Sequence, residues 1–302
     1  MQWKQMAAMI GLVGAIGLSP AIAQDMDDVK IRTIDVADGI YMLMGRGGNI
    51  GVSAGEDGVY LIDDQFAPLT NKIRAAVADI SDKPVRFVLN THWHWDHTGG
   101  NENFGNAGSV IIAHDNVYKR MSVDQFVKAF DRQIPAAPAA ALPVITFDDT
   151  VTLHLNGVTT RAVHVPHAHT DGDSIIHFKE ANVLHMGDTY FSGMYPFIDV
   201  QSGGSIDGMI AAVEVGLSLA DDNTRIIPGH GPLSNKRELA EYRDMLKAAR
   251  DRIASAVENG VAIDKLTASR PLADLDEKWG GGFFKADRFV AIVYQDFANG
   301  RK

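Results

Sequence analysis

The sequence predicts an α+β fold, a four-layer αββα sandwich with two mixed sheets face to face and helices on the outside. Two observations predict it. The 302-residue chain reads as two similar halves, each running strands, then helix, then strand. In both halves the strand segments end on residues of metal-binding type. No short-period repeat accompanies the likeness.

In the first half, Thr33–Met44, Ile50–Ala54 and Val59–Ile62 read as short strands, with Gly-rich turns at Gly45–Gly48 and Gly55–Gly58. Asn71–Ile80 reads as a helix. Val85–Leu89 reads as a continuous buried strand, Val110–Ala113 as the next strand and His114–Phe130 as a helix. Pro135–Pro143 is Pro/Ala-rich and should be irregular, either a flap near a site or, as we favour, a surface connector. Strands return at Val151–Leu155, Val158–Val165, Ser174–Phe178 and Val183–Met186. The helix Ile206–Ala220, the strand Thr224–Ile227 and the long amphipathic helix Leu239–Val257 follow. Phe289, Ile292, Val293 and Phe297 make an apolar stripe on a terminal helix, as core contact rather than a cofactor site.

With 46% hydrophobic and 22% charged residues, the chain fits one large globular domain or two small ones. A net charge of −10 argues against a nucleic-acid partner, and the scattered charges argue against acidic tails. Residues 1–23 stand apart: Lys4, the uncharged run Ala7–Leu18, Pro20, then the small-x-small site Ala21-Ile22-Ala23. This is the pattern of a secretory signal peptide cut before Gln24, which leaves a domain over 24–302 that is periplasmic or secreted and free of the membrane. The run is short for a bilayer span. There is no cysteine, so neither disulfides nor thiolate chemistry is open to the chain, and metal binding rests on N and O donors.

His92-Trp93-His94-Trp95-Asp96-His97 follows Val85–Leu89 directly. Imidazole and carboxylate together suit zinc and similar borderline ions, and a strand end of this pattern can divide its ligands between two adjacent ions. Such a pair can hold a hydroxide and polarise a carbonyl at once. Three more candidates stand at strand-to-loop junctions: His169 in Pro166–Asp173, Asp188 in His185–Thr189 and His230 in Pro228–Pro232. His167 could compete with His169. His114 should start a helix and His154 lie on the surface, while His164, His177 and His185 fall on strands as structural residues. Trp93 and Trp95 either wall a pocket or pack. Tyr190, Phe191, Met194, Tyr195 and Phe197 either form a substrate pocket or pack beneath the loop.

On these residues the sequence resembles the metallo-β-lactamase superfamily from about Ile31 to the terminal helices. The resemblance implies that fold, with a site along one edge of the sandwich. It implies a first metal on His92, His94 and His169, a second on Asp96, His97 and His230, and Asp188 bridging. The family pattern places a ligand immediately before Thr, which selects His169 over His167. Two Zn2+ ions and a small-molecule substrate are expected, with Asp96 the catalytic residue that orients the nucleophile. One β-lactamase subclass has a Cys ligand near the position of Asp188 and a Lys three residues later; here there is no Cys, and Phe191 takes the Lys position. His97 and Asp188 look more like the glyoxalase II and lactonase branches. The expected function is a β-lactamase-like amide or ester hydrolase, with a lactonase or thioesterase as alternative. A diiron redox protein or non-catalytic metal binder of the same fold is the alternative of another class. Redox relatives typically carry Glu where this chain has His94.

Overall fold

The computed structural model describes residues 26–300, so the proposed signal peptide lies outside the described residues. Two large sheets form the centre. In the first, β1 (Arg32–Ala37), β2 (Ile40–Met44), β3 (Ile50–Gly55) and β4 (Gly58–Ile62) make an antiparallel meander. Beyond β4 come three parallel strands, β5 (Val85–Leu89), β6 (Val110–His114) and β9 (Ile145–Phe147). In the second, β10 (Thr150–Leu155), β11 (Val158–His164), β12 (Ser174–Phe178) and β13 (Val183–His185) run antiparallel. β14 (Arg225–Ile227) pairs parallel to β13, and β15 (Ser234–Asn235) closes the edge. Both sheets are therefore mixed, as predicted.

Period-two alternation sorts the side chains into layers. Tyr60, Ile62, Leu89 and Ile112 of the first sheet meet Ile176, Phe178, Val183 and Ile227 of the second in a shared core. Their neighbours Leu61, Val88 and Ile111 face outward, onto Leu69, Ile73 and Val77 around helix α1 (Thr70–Ala78). On the far side Ile175, Leu184 and Ile226 pack against α5 (Ile206–Leu219) and α6 (Lys236–Glu258). The α6 stripe Leu239, Tyr242, Leu246, Ala249 and Ile253 is fully buried, and Asn235 caps the helix by accepting from Glu238 N (3.1 Å). Terminal helix α9 (Ala286–Gly300) buries Phe289 and Val293, which accounts for its stripe as core contact. No helix among the described residues is long and apolar enough to cross a membrane.

Three expectations need correction. The strand read over Thr33–Met44 is two strands, β1 and β2, folded back at Asp38-Gly39. In β5 only Val88 and Leu89, the end that feeds the histidine loop, are fully sealed, while Arg86 is exposed. The helix read over His114–Phe130 stops at Met121: α4 is Asp115–Met121, with the His114 ring as its cap accepting from Asn116 N. A two-stranded hairpin of β7 (Gln125–Val127) and β8 (Arg132–Ile134) replaces the rest. The β-forming Gln125-Phe126-Val127 and the left-handed Asp131 (φ +48) favour the turn over helix continuation. Pro135, Ala137 and Pro138 line a small side cavity that they share with Trp93 and Trp95, next to the main one.

Candidate metal centre

Neighbouring strand ends position the histidine loop. Asp63, just past β4, receives Thr91 N (2.8 Å) and Thr91 Oγ1 (2.7 Å), which anchors the chain immediately before His92. The Asp63 Oδ2 atom also receives His97 Nδ1 (2.8 Å). His94 is the extended N-cap of the short helix α2 (Trp95–Thr98), and its ring makes no cap bond. Helix α2 then places Asp96 and His97 side by side. In the second half, Asp173 receives Thr170 N and Thr170 Oγ1, closing the turn that holds His169. Burial pushes the Asp173 carboxyl up to about 7. Asn49 donates to Pro228 O and Gly231 O, both at 2.9 Å, and so fixes the loop of His230. Two glycines are required by close approach. A Cβ on Gly229 would lie 2.0 Å from Asp188 Oδ1, and one on Gly48 would lie 2.1 Å from His97 Cε1.

All seven expected residues converge. They form two adjacent sets, His92, His94, His169 and Asp188, and Asp96, His97 and His230, with the ligand-type atoms of each set within 4.8 Å of one another. Asp188 faces both. Its Oδ2 lies 3.8 Å from His92 Nε2, 3.5 Å from His169 Nε2 and 3.4 Å from His230 Nε2, while Oδ1 lies 3.0 Å from His97 Nε2. Asp96 Oδ2 stands 3.3 Å from His230 Nε2 and 3.8 Å from His97 Nε2. Tetrahedral zinc with bonds of about 2.0–2.1 Å has ligand–ligand edges of roughly 3.3–3.4 Å, so these spacings need only small adjustments. His167 is exposed, has φ +55 and bonds from Nδ1 to Gly203 O, away from the cluster. His185 is buried on Asn49 O and is structural.

The hydrogen bonds indicate a cation. His169 donates from Nδ1 to Phe197 O (2.9 Å), and His94 donates from Nε2 to Asp199 Oδ2 (3.0 Å). Their remaining nitrogens, His169 Nε2 and His94 Nδ1, face each other at 2.8 Å. A single proton between them would still leave the buried His92 Nε2 without a partner. A divalent metal satisfies all three nitrogens together, and the residues therefore fit one. Burial pushes His169 down to about 4 and His92 well below the usual range, so both offer lone pairs at neutral pH.

The second set differs. Burial opposes charge on His230, but Asp188 and Asp96 raise it to about 9, and His97 is raised well above its usual value against the same burial. Burial likewise opposes ionisation of Asp96, but His97 and His230 hold it at about 2. Protons fill this cradle when metal does not. In metal-free protein His230 is charged below about 9 when folded, and only below roughly 6.5 when unfolded. Its stabilisation is whole below the unfolded value and is lost as pH rises through about 9. The thermal midpoint of chelator-treated protein should therefore fall between neutral pH and pH about 10, more steeply than that of metal-loaded protein. Parallel pH dependence of the two forms would contradict this.

Residues 43–231 match the family model of the metallo-beta-lactamase superfamily, and the chain belongs to that superfamily. Among relatives, the 2,4-dinitroanisole O-demethylase subunit alpha of Nocardioides sp. is 24% identical over 88% of this chain and 76% of its own. A hydroxyacylglutathione hydrolase of Polaromonas sp. is 29% identical over 60% of this chain and 62% of its own. Among solved structures, a metallo-beta-lactamase from Pontibacter korlensis covers 72% of this chain and 99% of its own at 14% identity, with a TM-score of 0.58. The stereoselective inverting sec-alkylsulfatase Pisa1 from Pseudomonas sp. covers 90% of this chain and 51% of its own at 17% identity, with a TM-score of 0.67. At these identities the structures establish the fold alone.

The sequence reading missed Asp63 and Asp199, which hold His97 and His94. Asp63 carried a signal, an acid at the end of a predicted strand. Asp199 carried none. Asp63→Ala would orphan His97 Nδ1 and the anchor of Thr91, and should weaken metal binding by about ten- to a hundredfold in a chelator competition. Wild-type affinity in that variant would rule out this role.

Proposed function

We propose that the protein is a binuclear zinc-dependent hydrolase. One ion is held by His92, His94 and His169, the second by Asp96, His97 and His230, and Asp188 bridges. The observation that carries this reading is Asp188, whose two carboxylate oxygens face the two imidazole sets. Zinc held there would supply a Lewis acid and lower the pKa of a water. His94, Asp96 and His230 also line a cavity of about 580 Å³, so a substrate in it reaches this edge. Asp96 is the catalytic residue in this reading: it opens to the cavity at the edge of the cluster, where its carboxylate orients the attacking water and accepts its proton. Phe191, Phe197 and Phe284 wall the cavity.

The scissile bond is an ester or thioester attached to an apolar, often aromatic, body. The aromatic wall supports the apolar body, and the name of one relative, a hydroxyacylglutathione hydrolase, supports the thioester. Opening of a cyclic amide, a β-lactamase-like activity, is the second reading, because Arg46 and Arg132 line the cavity and a β-lactam carries a carboxylate. The test is a panel of aryl thioesters, aryl esters, acyl lactones and nitrocefin offered to zinc-loaded protein. Thioester or ester turnover abolished by chelator is expected. Faster opening of nitrocefin would move the assignment to the second reading, and strong hydrolysis by chelated protein would reject a metal mechanism. We also propose export, and protein from the native host should begin at Gln24; soluble cytoplasmic protein retaining Met1 would refute that.

A further inference from the structure

The cavity wall is unlike the chain that builds it. The protein carries a net charge of −10, yet among the described residues the only acid lining the cavity is Asp96 of the proposed metal centre. The charged residues elsewhere on the wall are Arg46 and Arg132. The rest is largely aromatic. Phe130 is central to it, 5.5 Å from the Trp95 ring, 5.2 Å from Phe197 and 5.9 Å from Phe284. Phe130 and Arg132 both belong to the hairpin that replaces the expected helix. The hairpin is tied down from the other side, where Arg288 donates to Ala129 O (2.6 Å) and lies over the Phe284 ring.

Arg132 lies with its guanidinium carbon 4.6 Å from the centre of the Trp95 ring. Trp95 in turn stands between His94, at 5.9 Å, and Asp96 in sequence. Among the described residues Arg132 forms no ion pair with an acid. A guanidinium resting on an aromatic face is fixed in orientation while its N–H edge stays open, the arrangement that receives a carboxylate through two parallel hydrogen bonds.

We propose that Arg132 is the anion-recognition residue of this cavity. The substrate joins an aromatic or bulky apolar body to a carboxylate that Arg132 holds beside Trp95. This rests on the reading of the cavity as the substrate site. Its logic is differential: the aromatic wall binds charged and neutral analogues alike, and Arg132 separates them.

The test needs no turnover. Zinc-loaded wild-type protein is titrated with 4-phenylbutanoate and with its neutral amide, read by tryptophan fluorescence and by calorimetry. The anion should bind roughly ten- to a hundredfold more tightly than the amide. Arg132→Gln should abolish that preference and leave the amide's affinity and the zinc content unchanged, while Arg132→Lys should restore part of it, as a point charge without the planar fork. A preference that survives in Arg132→Gln places the anion on zinc or Arg46 and overturns the proposal; so does equal or undetectable binding of both ligands by wild type. If the anion preference depends on Arg132 but no ester, thioester or lactam is turned over, the hydrolase reading fails and the assignment of Arg132 stands.

Discussion

Asp188→Ala should strip both metal ions and lower kcat/KM by roughly a thousandfold or more. Among the described residues Asp188 is the one carboxylate that reaches both imidazole sets, with Oδ2 at 3.4–3.8 Å from His92, His169 and His230 and Oδ1 at 3.0 Å from His97. Two dications a few ångströms apart repel strongly in a buried site, and an anion between them offsets that repulsion. Alanine leaves the first set with three neutral imidazoles and the second with Asp96 as its only charge. It also removes the main partner that raises the pKa of His97 and His230, so metal-free protein should lose its high-pH transition. Elemental analysis after dialysis and thermal shift on zinc addition both read the effect. A variant that retains about two zinc ions per chain would contradict the bridging role.

Gly48→Ala should empty one set and spare the other. A Cβ on Gly48 would lie 2.1–2.6 Å from three atoms of the His97 ring, so one of the two must move. The Gly48 backbone has little freedom to retreat: its N–H donates to Asp96 O (3.0 Å), and its carbonyl accepts from Gln65 Nε2 (2.6 Å). The His97 ring is held equally firmly by Asp63. Displacing it breaks that bond and withdraws Nε2 from Asp96 and His230, while His92, His94 and His169 stay in place. We expect zinc content to drop from about two to about one per chain, with a stability loss of about 1–3 kcal/mol from overpacking. Full occupancy in Gly48→Ala would show that His97 tolerates the intrusion and that the second set is looser than the geometry indicates.

These two variants separate what the sequence displays from what only the fold supplies. The seven metal-type residues were legible because each is local: a strand ends, a Gly- or Pro-rich loop follows, and a His or Asp sits at the junction. The layers were legible because alternation along β4, β12 and β13 survives in the packed sheets. The pairings of the supports were not, because their partners are distant in sequence, even though Asp63 itself stands at the end of a predicted strand. Asp63 lies 34 residues from His97, and Asp199 lies 105 residues from His94. The hairpin was misread for a related reason. Its segment carries a helix-compatible pattern, and the contacts that fix it, Phe130 on Trp95 and Ala129 on Arg288, are tertiary. The aromatic loop after Asp188 resolved in both directions. Phe191, Met194, Tyr195 and Phe197 line the cavity, while Tyr190 packs against Tyr242.

The most direct test of the two-metal account is an anomalous-diffraction map collected at the zinc edge from crystals of zinc-loaded protein. The account predicts two peaks a few ångströms apart, one among His92, His94 and His169 and the other among Asp96, His97 and His230, with the Asp188 carboxylate touching both. A single peak, or two peaks that leave Asp188 unbound, would contradict it.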